Sequence, residues 1–193
     1  MQRADEPPTI VLIGPVRAGK STVGAMLAAR LDVPLHQLDA MRDEYYHEIG
    51  YDDAYAQRLR DERGWEARYR YWKPFEVHAV ERFLSEHPTG VLDFGAGHSV
   101  QEEPALFGRV RRALAPYRNV VLLLPSPNPE ESVRILKERY GGLVSNGVDF
   151  DRHFVTHHSN HDLATLVVYT KGKTPEETCA EILQRIGDHL HGG

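Results

Sequence analysis

Residues Gly14, Pro15, Val16, Arg17, Ala18, Gly19, Lys20 and Ser21 spell G-x-x-x-x-G-K-S. In this spacing, backbone N–H groups curl around a polyphosphate. Lys20 then reaches the β and γ phosphates, and the Ser21 hydroxyl ligates Mg2+. Thr22 is placed to contact the α-phosphate. The start of a following helix adds roughly half a positive charge at the same spot. The chemistry implied is the binding of a nucleoside triphosphate with its magnesium ion.

Such a loop works only between a strand and a helix. Thr9–Ile13 is a short apolar run suited to a buried strand. Ser21–Leu31 reads as a helix with Val23, Met26, Leu27 and Leu31 on one face. Further strands are expected near Pro34–Leu38, Gly90–Phe94, Asn119–Leu124 and Thr165–Tyr169. Between them, helices are expected at Ala40–Glu62 and Trp65–Glu86, with Pro74 kinking or dividing the second. Further helices are expected at Pro104–Ala115 and Pro129–Tyr140. Gly141–Asn160 is polar and weakly periodic, which suggests a lid or mobile loop. Thr174-Pro175-Glu176-Glu177 is a capping box opening a last helix to about Leu190. Alternation of this kind predicts an α/β fold: a three-layer sandwich around a five-stranded parallel sheet, with ligands at the carboxyl ends of the strands.

The totals agree. A chain of 193 residues, 41% hydrophobic and 26% charged, fits one α/β domain. In it, residues 8–140 and 161–191 form the core, about 40–88 an acceptor-binding helical region and about 141–160 a lid. The net charge of -5 argues against broad nucleic-acid or membrane binding. The single Cys179 cannot form an internal disulfide, and no apolar run approaches a membrane span. The polar stretch Met1–Pro8 reads as a disordered lead-in, so a cytoplasmic protein is expected. Oligomeric state is not legible.

From Val11 to Leu190 the chain resembles the shikimate kinases, within the nucleoside-monophosphate-kinase-like group of P-loop kinases. The resemblance rests on Gly14–Thr22 followed by Val23-Gly24, on Leu38-Asp39-Ala40, on Gly95-Ala96-Gly97, and on Leu166–Tyr169 followed by Thr174–Glu177. It implies an ATP- and Mg2+-dependent phosphotransferase acting on a hydroxyl of a small-molecule acceptor. Departures fall mostly on the acceptor side. Gln37 stands where the family has the first Asp of D-x-D, and Ala96 is the middle residue of its glycine triplet. Lys73, in Trp72-Lys73-Pro74-Phe75-Glu76, takes the place of the arginine that grips the substrate carboxylate. A lysine is a point charge and cannot clamp a carboxylate bidentately. Arg68 and Arg70 lie one turn away. His157-His158-Ser159-Asn160-His161 occupies the neighbourhood of the family's second substrate-binding arginine. The acceptor expected is therefore not shikimate. A nucleotide, antibiotic or activated sugar, as for zeta-type toxin kinases, is the alternative, as is a nucleotide-binding switch without an acceptor.

Roles follow. Asp39 orients the acceptor hydroxyl or takes its proton, or caps a helix beginning at Ala40. Asp93 ends an apolar strand and holds Mg2+ with Ser21, or caps the turn at Gly95. Gly95, Ala96 and Gly97 let backbone approach the acceptor, or form a tight turn. Arg68 and Lys73 are candidates for the acceptor wall, against a solvated helix face. Arg139 and Arg152 are candidates for the lid arginine that offsets charge on the transferring phosphoryl group. His157 and Asn160 are candidates for acceptor recognition. His153, His157, His158 and His161 invite a zinc reading, but no cysteine is near and Asp162 is the only obvious carboxylate.

Overall fold

The first apolar run pairs on both sides, and this seats the phosphate loop at the middle of a sheet. The computed structural model describes residues 7–142, 144–145 and 148–191. The expected lead-in lies outside them up to Glu6, as do three residues of the expected lid. In chain order the first elements are β1 (Ile10–Ile13), α1 (Lys20–Leu31), β2 (Leu35–Gln37), α2 (Leu38–Glu48), α3 (Asp53–Arg63), α4 (Trp65–Glu86) and β3 (Val91–Asp93). They are followed by α5 (Pro104–Leu114), β4 (Val120–Leu124), α6 (Pro129–Tyr140), β5 (Val144–Ser145) and β6 (Val148–Asp149). The chain then forms α7 (Phe150–Thr156), α8 (His158–Leu163), β7 (Leu166–Tyr169) and α9 (Pro175–His191).

Five strands form one parallel sheet in the order β2-β3-β1-β4-β7. Side chains alternate across it. Ile10, Leu12, Val121 and Leu123 face α1 and α9, where Val23, Leu27, Cys179 and Ile182 close one core. Val11, Ile13, Leu92 and Leu122 face the other way, against Val80 and Phe83 of α4 and Val110 of α5. These side chains are almost fully buried, and each stabilises the fold by about 1.5–3 kcal/mol before chain entropy is counted. The result is the expected three-layer α/β sandwich.

Three expectations change. The helix expected from Ala40 to Glu62 is two helices: α2 ends near Ile49, Gly50 turns the chain at φ 82°, and Asp52 caps α3 by accepting from Tyr55 N at 2.8 Å. Pro74 neither divides nor ends α4, which runs unbroken through it. Proline costs a helix interior roughly 3 kcal/mol, and the burial of Phe75, Val77, Val80, Phe83 and Leu84 beyond it outweighs that. The described part of the expected lid is not an irregular loop: β5 and β6 form a small antiparallel pair, and α7 and α8 bury Phe150, Phe154, Val155 and Leu163.

Candidate active site

The carboxyl ends of β1 and β3 lie side by side, with Leu12 paired to Asp93. This brings the loop after β1 against the end of β3. Ser21, in the first turn of α1, donates its hydroxyl to Asp93 Oδ2 at 2.7 Å. On the other flank, Gln37 pairs in register with Asp93. Burial raises the Asp93 carboxyl above its ordinary value, and the Ser21 bond, the Lys20 charge and the neighbouring Gln37 amide offset this only in part. Lys20 is buried and donates to the Gly14 and Pro15 carbonyls, each at 3.0 Å. Burial lowers its ammonium below the ordinary lysine value, against the opposing charges of Asp93 and Asp39. The predicted Ser21 and Asp93 are thus together, with Lys20 and Asp39 near enough to feel one another.

Beside the phosphate loop is a cavity of about 240 Å³ lined by Ala18, Gly19, Thr22, Arg139, Thr170 and Lys173 among others. Arg139 ends here: it donates to the Arg17 carbonyl at 2.8 Å. Arg152 does not reach this place. It forms a two-pronged, exposed pair with Glu130 at the start of α6.

Asp39 lies in the first turn of α2, which begins at Leu38 and not at Ala40. Its carboxylate is 60% exposed. It is faced by Arg42 Nη1 at 3.6 Å and by His98 Nδ1 at 3.9 Å. Spacing of i, i+3 on α2 explains the Arg42 contact. That signal was hidden by placing the helix start two residues late. His98 is buried, its Nε2 is 3.3 Å from the Tyr46 hydroxyl, and its Nδ1 has no hydrogen-bond partner within the protein.

Two members of the triplet Gly95-Ala96-Gly97 are small for a visible reason. A Cβ at Gly95 would stand 2.1 Å from Asp39 Oδ1, and one at Gly97 would stand 2.5 Å from Glu76 Oε1. The absent side chains leave room for two of the protein's own carboxylates.

Lys73 lies on the buried face of α4. Its Nζ donates to Glu76 Oε2 at 2.6 Å, to the Val100 carbonyl at 2.8 Å and to the Gly97 carbonyl at 3.2 Å. It also sits 4.0 Å from the centre of the Tyr69 ring. An ammonium has three donors, and all three are used. Arg68 stacks on Trp72, its guanidinium 4.4 Å from the ring centre. Arg70 pairs with Glu66 on the surface at 2.6 Å. Asn160 is fully buried: its Oδ1 accepts from Ser99 Oγ at 2.7 Å and its Nδ2 donates to the Phe154 carbonyl at 2.9 Å. It therefore ties α8 to the loop after the triplet and has no face open to an acceptor. His157 caps α8, its Nδ1 accepting from Ser159 N at 3.2 Å. Sequence reasoning missed Arg42, which lies in no motif, and gave no role to Glu76, although it closes the stretch Trp72-Lys73-Pro74-Phe75-Glu76.

No family model matches the chain. The shikimate kinase of Streptomyces coelicolor is 35% identical over 183 residues, which is 93% of this chain and 95% of that protein. Among solved structures, the shikimate kinase from Acinetobacter baumannii in complex with shikimate matches with a TM-score of 0.62 at 21% identity, over 94% of each chain. A gluconokinase from Sinorhizobium meliloti 1021 matches with a TM-score of 0.51 at 14% identity, over 96% of this chain and 97% of that one. At such identities the two structures speak for the fold alone. They are P-loop kinases with the same sheet flanked by helices. No helix among the described residues is long and apolar enough to cross a membrane.

Proposed function

The chain belongs to the shikimate kinase family, a P-loop phosphotransferase group, and from that premise we propose that it transfers the γ-phosphoryl group of ATP to a hydroxyl of a small metabolite other than shikimate. The acceptor half of this reading is carried by one observation. Lys73, which stands in the place of the carboxylate-gripping arginine, has every donor committed inside the protein. A carboxylate at that point meets no free fork of donors.

The residues fit a triphosphate and its cation. Ser21 and Asp93 supply a hydroxyl and a carboxylate, the hard oxygen donors Mg2+ takes. Held there, Mg2+ would offset charge on the transferring phosphoryl group. Lys20 now satisfies its ammonium on two loop carbonyls, and would exchange them for phosphate oxygens. Arg139, tethered to the Arg17 carbonyl, stands over the loop as the second cation for phosphate charge. Asp39 is exposed, seated against Gly95, and close enough to Lys20 to perturb it. It is the group that orients the acceptor hydroxyl and receives its proton. Arg42, half-exposed beside it, is the polar group an acceptor would meet.

The test is Asp39→Asn, assayed against a metabolite panel that includes shikimate. ATP affinity should hold while turnover falls by about 10²–10⁴-fold. Unchanged turnover would remove Asp39 from the chemistry. If shikimate were the best acceptor of the panel, the acceptor half of the reading would fail and the kinase half would stand.

A further inference from the structure

Away from the phosphate loop, the described residues hold one cluster of metal-ligating side chains: Glu102, His153 and His157. Each offers one donor atom, and the three atoms lie within 4.8 Å of one another. They come from different parts of the chain. Glu102 is in the loop after the glycine triplet, His153 is on α7, and His157 is at the junction of α7 and α8. The cluster is already drawn together: His153 Nε2 lies 2.8 Å from Glu102 Oε1, and the Tyr69 hydroxyl donates to that same oxygen at 2.8 Å. Glu102 and His153 also line a cavity of about 560 Å³, with Tyr69, Lys73 and Phe150 on its other walls.

The geometry points to a binding site for a divalent cation of the zinc class, held by the Glu102 carboxylate and the two imidazoles, with its fourth position open to this cavity. Two imidazole nitrogens and one carboxylate suit zinc, cobalt or nickel. Mg2+ prefers an all-oxygen shell and is a poor match. A four-coordinate zinc with bonds near 2.0–2.2 Å needs its donors roughly 3.3 Å apart. The cluster therefore closes by side-chain rotation.

The proton account is simple. The ion takes the His153 nitrogen that now shares a proton with Glu102, and that proton moves to the other ring nitrogen or to solvent. A neutral imidazole has one lone-pair nitrogen. On binding, His157 therefore gives up its 3.2 Å bond from Ser159 N, a long bond whose loss is small. Two cations on the cavity wall oppose the site, and each is matched within the protein: Lys73 by Glu76 at 2.6 Å and Arg70 by Glu66 at 2.6 Å. Tyr69, bonded to Glu102, then orients the carboxylate from behind. A bound ion would pin α7 and α8 to the loop that follows Gly97.

The site does not depend on the kinase reading, and its test uses no ATP. The full-length, untagged chain is stripped of metal and titrated with Zn2+ in competition with a coloured chelator. One equivalent should bind. His153→Ala and His157→Ala should each weaken binding at least about tenfold. His158→Ala, whose imidazole is paired with Asp162 on the surface, should leave it unchanged. Should the variants not fold, Co2+ on the unaltered chain decides: intense visible bands of a four-coordinate ion support the site, and the weak spectrum of a hexaaquo-like ion overturns it. No stoichiometric Zn2+ uptake, or uptake retained by the double variant His153→Ala/His157→Ala, also overturns it.

Discussion

Glu76 occupies the space that a side chain at Gly97 would need: its Oε1 lies 2.5 Å from where a Cβ would stand. The other carboxylate oxygen is held by Lys73 at 2.6 Å, so Glu76 has little room to retreat. Gly97→Ala should therefore destabilise the protein by about 1–3 kcal/mol, the usual cost of overpacking. Gly108→Ala is the control. Gly108 lies within α5 with only the Arg112 side chain nearby, at 3.5 Å. There the added methyl should stabilise by about 0.5–1 kcal/mol through helix propensity. Urea unfolding midpoints of the two variants should move in opposite directions. Equal shifts would mean that Glu76 gives way freely.

The same contact makes Lys73 and Glu76 a unit. Both are buried, and the ammonium also holds the carbonyls of Gly97 and Val100. Lys73→Met leaves the Glu76 carboxylate buried without its cation, which costs about 3–5 kcal/mol. Adding Glu76→Gln to Lys73→Met should recover much of that loss, because the stranded charge is then gone. A double-mutant cycle of unfolding free energies measures this. Additive effects would mean that Lys73 acts through packing on Tyr69 alone.

What the sequence made legible was what local spacing controls. The loop at Gly14–Ser21, the strand before it and the helix after it are contiguous, so one stretch of chain carries the pattern. Asp93 could be matched to Ser21 because an acid at a strand end meets whatever the neighbouring strand presents. Long-range partners were not legible. Glu76 meets Gly97 and Glu102 meets His153 only because α4, the loop after β3 and α7 pack together, and no periodicity reports that. The division between α2 and α3 did have a signal, Gly50 followed by Asp52 as a cap, but helical stretches on both sides of it read as one run. Pro74 does not divide α4, since tertiary burial outweighs the local cost of proline there.

Asp93 should trade stability for metal binding. Burial raises its carboxyl above the ordinary aspartate value, so the charged form is disfavoured in the fold when no cation is present. Asp93→Asn removes that strain while keeping an acceptor for Ser21. Its unfolding temperature without nucleotide should equal or exceed that of the parent. The Mg2+ concentration giving half-maximal turnover should rise roughly tenfold or more. A variant that lost stability yet kept its Mg2+ requirement would assign Asp93 to folding alone.

His98 should make the fold acid-sensitive. The ring is buried, and burial is the largest influence lowering its value below that of an ordinary histidine. Glu76 and Asp39 act to raise it, and Arg42 and Lys73 act with burial to lower it. The Tyr46 hydroxyl faces the other ring nitrogen. The folded protein therefore binds a proton at His98 less readily than the unfolded chain does. As pH falls below about 6.5, the unfolded chain gains this proton first, and stability drops until the folded ring protonates as well. At higher pH both states hold a neutral ring, and the loss vanishes. His98→Gln keeps a polar group toward Tyr46 and removes the titration. The fall in unfolding free energy between pH 6.5 and 5 should be shallower in this variant by up to one proton's worth of slope, about 1.4 kcal/mol per pH unit. Parallel pH profiles for the two proteins would mean that His98 is protonated in the fold as readily as in solution.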